Sequence, residues 1–163
     1  MEWIRHVRPL VFAIAWAAFI GLTETALTFW RGEALTGRSA GVVTVFTVSA
    51  FLGAFCAWGL ASLLTFRRRK GRLPARFAAM ILSLTLGTAG FCAVFFFLQL
   101  RAYYSQWHTS TISMEMFWQF AFTGASTSYI FAVMGARPLL PFVFLPMLAF
   151  SWYFARIEPS ARV

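Results

Sequence analysis

The run Arg67-Arg68-Arg69-Lys70-Gly71-Arg72 divides two long stretches that carry no charge, residues 41–66 and 77–100. Each stretch exceeds the roughly 20 residues a helix needs to cross the hydrocarbon of a bilayer. A basic cluster between two such stretches marks a loop that stays on the cytoplasmic side. Arg67, Arg68, Arg69, Lys70 and Arg72 are also placed to attract anionic lipid headgroups, at about 1 kcal/mol per basic residue near the surface.

The rest of the chain agrees with a lipid setting. It is 60% hydrophobic and only 12% charged, against about a quarter charged in soluble domains. The net charge of +9 does not point to nucleic acid, because the basic residues gather in one loop and at the ends of apolar stretches. Cys56 and Cys92 fall inside apolar stretches, where no disulfide framework is expected. The chain has no Asp, no Asn and a single Lys, a bias that suggests a GC-rich coding sequence and hence the inner membrane of a bacterium.

The segments read as one integral membrane domain over residues 1–163. The first stretch, 9–30, follows a short basic N-terminus and has no small-residue cleavage signal, so it reads as an uncleaved span. Stretches 41–66, 77–100 and 115–134 follow. Gly135-Ala136-Arg137-Pro138 is expected to break the fourth. A fifth, 139–155, is near the lower limit of length and carries Pro141 and Pro146, which membrane helices tolerate. The expected fold is therefore an all-α, polytopic membrane helix bundle of four or five transmembrane helices.

Orientation follows from the cations. With the N-terminus cytoplasmic and five spans, Arg5, Arg8, the basic residues from Arg67 to Arg76, and Arg137 lie inside. Arg31, Arg38, Arg101, Arg156 and Arg162 then lie outside. If 139–155 does not cross, Arg156 and Arg162 return to the cytoplasm. The charge rule favours four spans, and hydrophobic length favours five.

Small residues recur at four-residue spacing on every stretch, around Gly21, Gly53, Gly87 and Gly124. Such faces let helix backbones approach closely in lipid, and each is expected to dock within the molecule. Glu24 is the only carboxylate well inside a stretch, roughly 9 Å short of Trp30 at 1.5 Å rise per residue. An ionisable group at that depth is a functional candidate, as a proton or cation site or as the partner of an arginine. Gln99, Glu115, Gln119 and His108 are expected near the same level and would share a polar cavity open to the outer side.

Signatures of catalysis are thin. His6 and His108 sit at or beyond the ends of stretches, so no haem, metal or other cofactor is expected. No metalloprotease, nucleophile-elbow, phosphate-loop or CxxC motif occurs. The expected role is a non-catalytic accessory or structural subunit that packs against another membrane protein or a copy of itself. A small oligomeric transporter using Glu24 is the alternative. A weaker alternative is an enzyme acting on lipid or quinone at the outer interface through Glu24, His108 and Glu115.

Overall fold

An apolar segment in lipid finds no water for its backbone, so its N–H and C=O groups must pair within the segment, as a helix does. The computed structural model follows this rule along almost its whole length and describes residues 2–66, 73–104 and 113–157. The elements are α1 (Glu2–Trp30), α2 (Gly37–Phe66), α3 (Leu73–Tyr104), α4 (Met114–Ile130), a π-helical segment (Phe131–Ala136) and α5 (Arg137–Ile157). Residues 67–72, 105–112 and 158–163 fall outside the described residues, and with them the proposed lipid-contact loop and His108.

Local chemistry sets the helix ends. Gly32 takes a left-handed φ of +74°, and its N–H bonds the Phe29 carbonyl at 2.9 Å, closing α1. Four residues later Thr36 opens α2: its N–H donates to Ser39 Oγ at 2.9 Å, and its carbonyl accepts from the Ala40 N–H. The first is the half of a capping box in which the third helical residue returns its side chain to the N-cap N–H, and the second is the first bond of the helix. Ser113 caps α4 by accepting from the Met116 N–H, with Glu115 in the first turn where the helix dipole favours an acid. Several boundaries move from the sequence reading, with α2 beginning at Gly37 and α3 at Leu73, before the uncharged stretches start. Helix α1 runs through Pro9 rather than starting there, and α3 continues to Tyr104.

Four helices are long and apolar enough to cross a membrane: Val7–Trp30, Gly37–Thr65, Leu73–Tyr104 and Leu139–Ile157. The count agrees with the lower of the two expected, but the members differ. The stretch expected as span four became α4, only 17 residues long, and the short last stretch is the fourth candidate.

The expected break at 135–138 does not occur. Helix α4 passes into α5 without a turn. The Arg137 N–H reaches back five residues to the Ala132 carbonyl, a π-type bond. Pro138 has no N–H to offer, and a proline crowds the carbonyl four residues back. Widening one turn relieves that crowding while keeping the chain helical.

Helices α1, α2 and α3 pack in sequence order, each antiparallel to the last. Phe12 meets Trp58 while Gly21 lies against Thr47, and Gly53 faces Gly87 while Phe46 meets Phe96. Helix α5 runs antiparallel to α3. Phe77 meets Trp152, Thr85 Oγ1 donates to Met147 Sδ, and Phe96 reaches Phe131 of the π segment. Helix α5 therefore ends where α1 begins, α2 ends and α3 begins. An aromatic cluster pins it there: Phe150 lies edge-on to Phe12 and Trp16, and Trp58 meets Phe154 at 4.9 Å, interplanar 89°. Edge-to-face pairs add about 0.5–1.5 kcal/mol each beyond the area they bury.

Candidate functional site

Glu24 lies on the face of α1 turned into the bundle and is only 2% exposed. The neighbouring hydroxyls do not serve it. Thr23, Thr25 and Thr28 each donate to the backbone carbonyl four residues back, on Phe19, Gly21 and Glu24 itself. Its Oε2 has no hydrogen-bond partner among the described residues. Ser49 of α2 and Cys92 of α3 are buried in the same three-helix core, and the Ser49 hydroxyl has no hydrogen-bond partner among the described residues. Each of the three packed helices α1, α2 and α3 thus buries one of these polar side chains.

The other residues expected to join Glu24 are placed elsewhere. Gln99 is exposed on α3, and Glu115 is exposed in the first turn of α4. Gln119 is half-buried in a groove between α3 and α4. The described residues therefore show a buried carboxyl inside the bundle and a separate groove at the far end of α3. The catalytic grouping with His108 has no counterpart among them. Nor do three metal-ligating side chains come together among the described residues.

The groove has a volume of about 310 Å³. Leu100 and Tyr104 of α3 face Trp118, Gln119, Phe122 and Ser126 of α4 across it. Gln119 Oε1 is buried without a partner, since the nearby Thr123 hydroxyl donates to the Gln119 backbone carbonyl at 2.7 Å. Below the groove Phe97 packs on Phe120, and the Arg101 guanidinium lies 4.2 Å over the Phe120 ring. Sequence reading selected Gln119 but not the groove, because its walls come from residues far apart in the chain.

The four glycines expected to mediate packing differ in what surrounds them. A Cβ on Gly53 would stand 2.6 Å from the Thr88 nitrogen, and one on Gly87 would stand 2.6 Å from the Gly53 carbonyl oxygen. Those two backbones touch. A Cβ on Gly21 would meet Thr47 Oγ1 at 2.5 Å, while one on Gly124 would find nothing nearer than Phe97 at 4.0 Å. The small-residue stripes of α1 and α2 are turned inward, with Ala13, Ala17, Ala57 and Ala61 buried. The stripe around Gly124 is not: Gly124 is half-buried, Ser128 of α4 and Ala132 of the π segment are exposed, and so are Ala121 and Ala125 beside them.

The fold defines an all-helical bundle with four helices able to cross a membrane. No protein-family model, curated protein or solved structure matches the chain.

Proposed function

We propose that the protein is an integral membrane subunit, without catalytic chemistry of its own, that docks other membrane helices through α4. The carrying observation is the uneven packing of α4. Among the described residues it touches α3 and the π segment but not α1, α2 or α5. Its outward face combines the small residues Ala121, Ala125, Ser128 and Ala132 with exposed Phe117 and Tyr129, the latter 68% exposed. Small residues flanked by aromatics suit helix–helix association in lipid, where close packing takes the place of the hydrophobic drive. The setting we propose is a bacterial inner membrane with the N-terminus in the cytoplasm. The arrangement of α5 brings Arg156 to the same end as Arg8 and Arg76, and it places Arg137, expected inside, with Arg31, Arg38 and Arg101 at the other end.

The test is purification of tagged protein in mild detergent, with native mass measured for the parent and for Ala125→Leu. The expected result is a defined hetero- or homo-complex that Ala125→Leu reduces to a folded monomer. A wild-type protein recovered only as a monomer overturns the proposal.

A second reading, a proton- or ion-coupled transporter, is supported by the unpartnered Oε2 of Glu24. It requires that Glu24→Gln abolish coupled transport in proteoliposomes while leaving the fold intact.

A further inference from the structure

The end of the bundle where α1 begins, α2 ends, α3 begins and α5 ends gathers cations. Arg8, Arg76 and Arg156 lie there on three different helices, and in the sequence the basic run of 67–72 joins α2 to α3. Glu24, Glu33 and Glu115, the carboxylates with described side chains, belong to the other half of the bundle. The sequence sets only Glu2 and Glu158 against these cations. Arg156 differs from the others in how it is held. Its guanidinium lies 4.8 Å over the ring of Trp152, one turn back on α5. That ring is braced edge-on against Phe77 of α3, with centroids 6.1 Å apart. The Arg156 side chain is exposed and makes no hydrogen bond or ion pair among the described residues. We propose that Arg156, seated on Trp152, binds the phosphate of one anionic membrane lipid, at a site separate from the basic run of 67–72.

The chemistry follows from that seat. A guanidinium held over a ring by its charge leaves its N–H groups to other partners. Those N–H groups form a planar fork that matches two oxygens of a phosphate. Seating the side chain beforehand also reduces the rotamer freedom lost when the fork closes on its ligand. Trp152 and its neighbour Tyr153 are 42% and 49% exposed, and such rings settle at the level of lipid headgroups. That level brings the Arg156 fork to lipid phosphates rather than to anions in bulk water. Arg76, the residue before Phe77, adds positive potential from α3. The excess of cations favours a headgroup of net negative charge, such as phosphatidylglycerol, over zwitterionic phosphatidylcholine. None of these residues lies on α4, so a partner docked there leaves the site open.

The site rests on the reading of the chain as an integral membrane protein, which resistance to alkaline extraction from membranes tests on its own. The experiment for the site is native mass spectrometry of the full chain in detergent, titrated separately with phosphatidylglycerol and phosphatidylcholine. The expected result is preferential retention of phosphatidylglycerol, lowered about fivefold by Arg156→Gln, the equivalent of about 1 kcal/mol for one cation near a headgroup. Arg156→Lys keeps the charge, loses the fork and falls between the two. Trp152→Leu unseats the guanidinium and lowers retention as well, which keeps the test decisive if Arg156→Gln does not fold. Arg38→Gln, at an exposed position at the other end of the bundle, retains as much as the parent. Undiminished retention in Arg156→Gln overturns the proposal. So does an equal fall in Arg38→Gln, because that pattern reports net charge alone. Full retention in Arg156→Lys overturns it too, since a point charge then suffices. Displacement of the lipid by inorganic phosphate assigns the site to a soluble anion and overturns it as well. Extraction by alkali would sink the membrane reading, whereas an embedded chain indifferent to Arg156→Gln sinks this site alone.

Discussion

Glu24 and Gly53 show how differently two buried residues of the same bundle constrain it. Glu24 holds a carboxyl whose Oε2 makes no hydrogen bond, so little is lost when an amide of the same shape replaces it. Glu24→Gln is expected to melt within about 1 kcal/mol of the parent in detergent. It should also assemble normally if the protein is a docking subunit. Gly53 lies directly against the α3 backbone, and the added methyl of Gly53→Ala would meet Thr88 and Gly87 at 2.6–2.7 Å. Helices α2 and α3 would have to separate, at a cost of about 1–3 kcal/mol. Gly124→Ala meets only the edge of Phe97 and should be neutral or slightly stabilising, by up to about 1 kcal/mol from helix propensity. Thermal melts of the three variants separate these expectations. The small-residue spacing was legible in the sequence, because it depends only on helix period. Which glycine meets backbone was not, because Gly53 and Gly87 face each other only once α2 and α3 have chosen their register.

At the scale of elements, the π segment is where sequence and structure part. Gly135 and Pro138 are strong punctuation in a local reading, and nothing local shows that one widened turn can absorb them. A π turn behaves as one residue inserted into an α-helix. Deleting Val133 should therefore restore an α-helical turn and rotate α4 by about 100° relative to α5. The packing of Phe97 on Phe120, with ring centroids 6.2 Å apart, would then be lost. Disulfide trapping between Phe97→Cys and Phe120→Cys checks this, with efficient closure expected in the full-length chain and little in the deletion. Efficient closure in both would mean that the π turn does not set the register of α4.

For the whole molecule, the aromatic cluster of Phe12, Trp16, Trp58, Phe150 and Phe154 joins α5 to α1 and α2. Phe154 is fully buried, and Phe154→Ala should cost about 3–5 kcal/mol, read as a large fall in melting temperature. The same cluster brings the end of α5 to the start of α1. Reporter fusions at the two termini should therefore give the same answer for sidedness in intact cells, and opposite answers would overturn this topology. The order of the apolar stretches showed four or five candidate helices, but not which of them are long enough to cross. The direction of the last helix was not legible either, since it depends on which of two neighbouring apolar stretches crosses, and α4 and the fourth candidate span are similarly apolar.

The unbroken run from Met114 to Ile157 is about 65 Å long at 1.5 Å per residue, roughly twice the 30 Å of bilayer hydrocarbon. One end stands outside the four-helix body and the other is wedged among its rings. A single helical run thus carries both the aromatic anchor at Trp152 and Phe154 and the wall of the α3–α4 groove, more helix than one crossing of that layer needs.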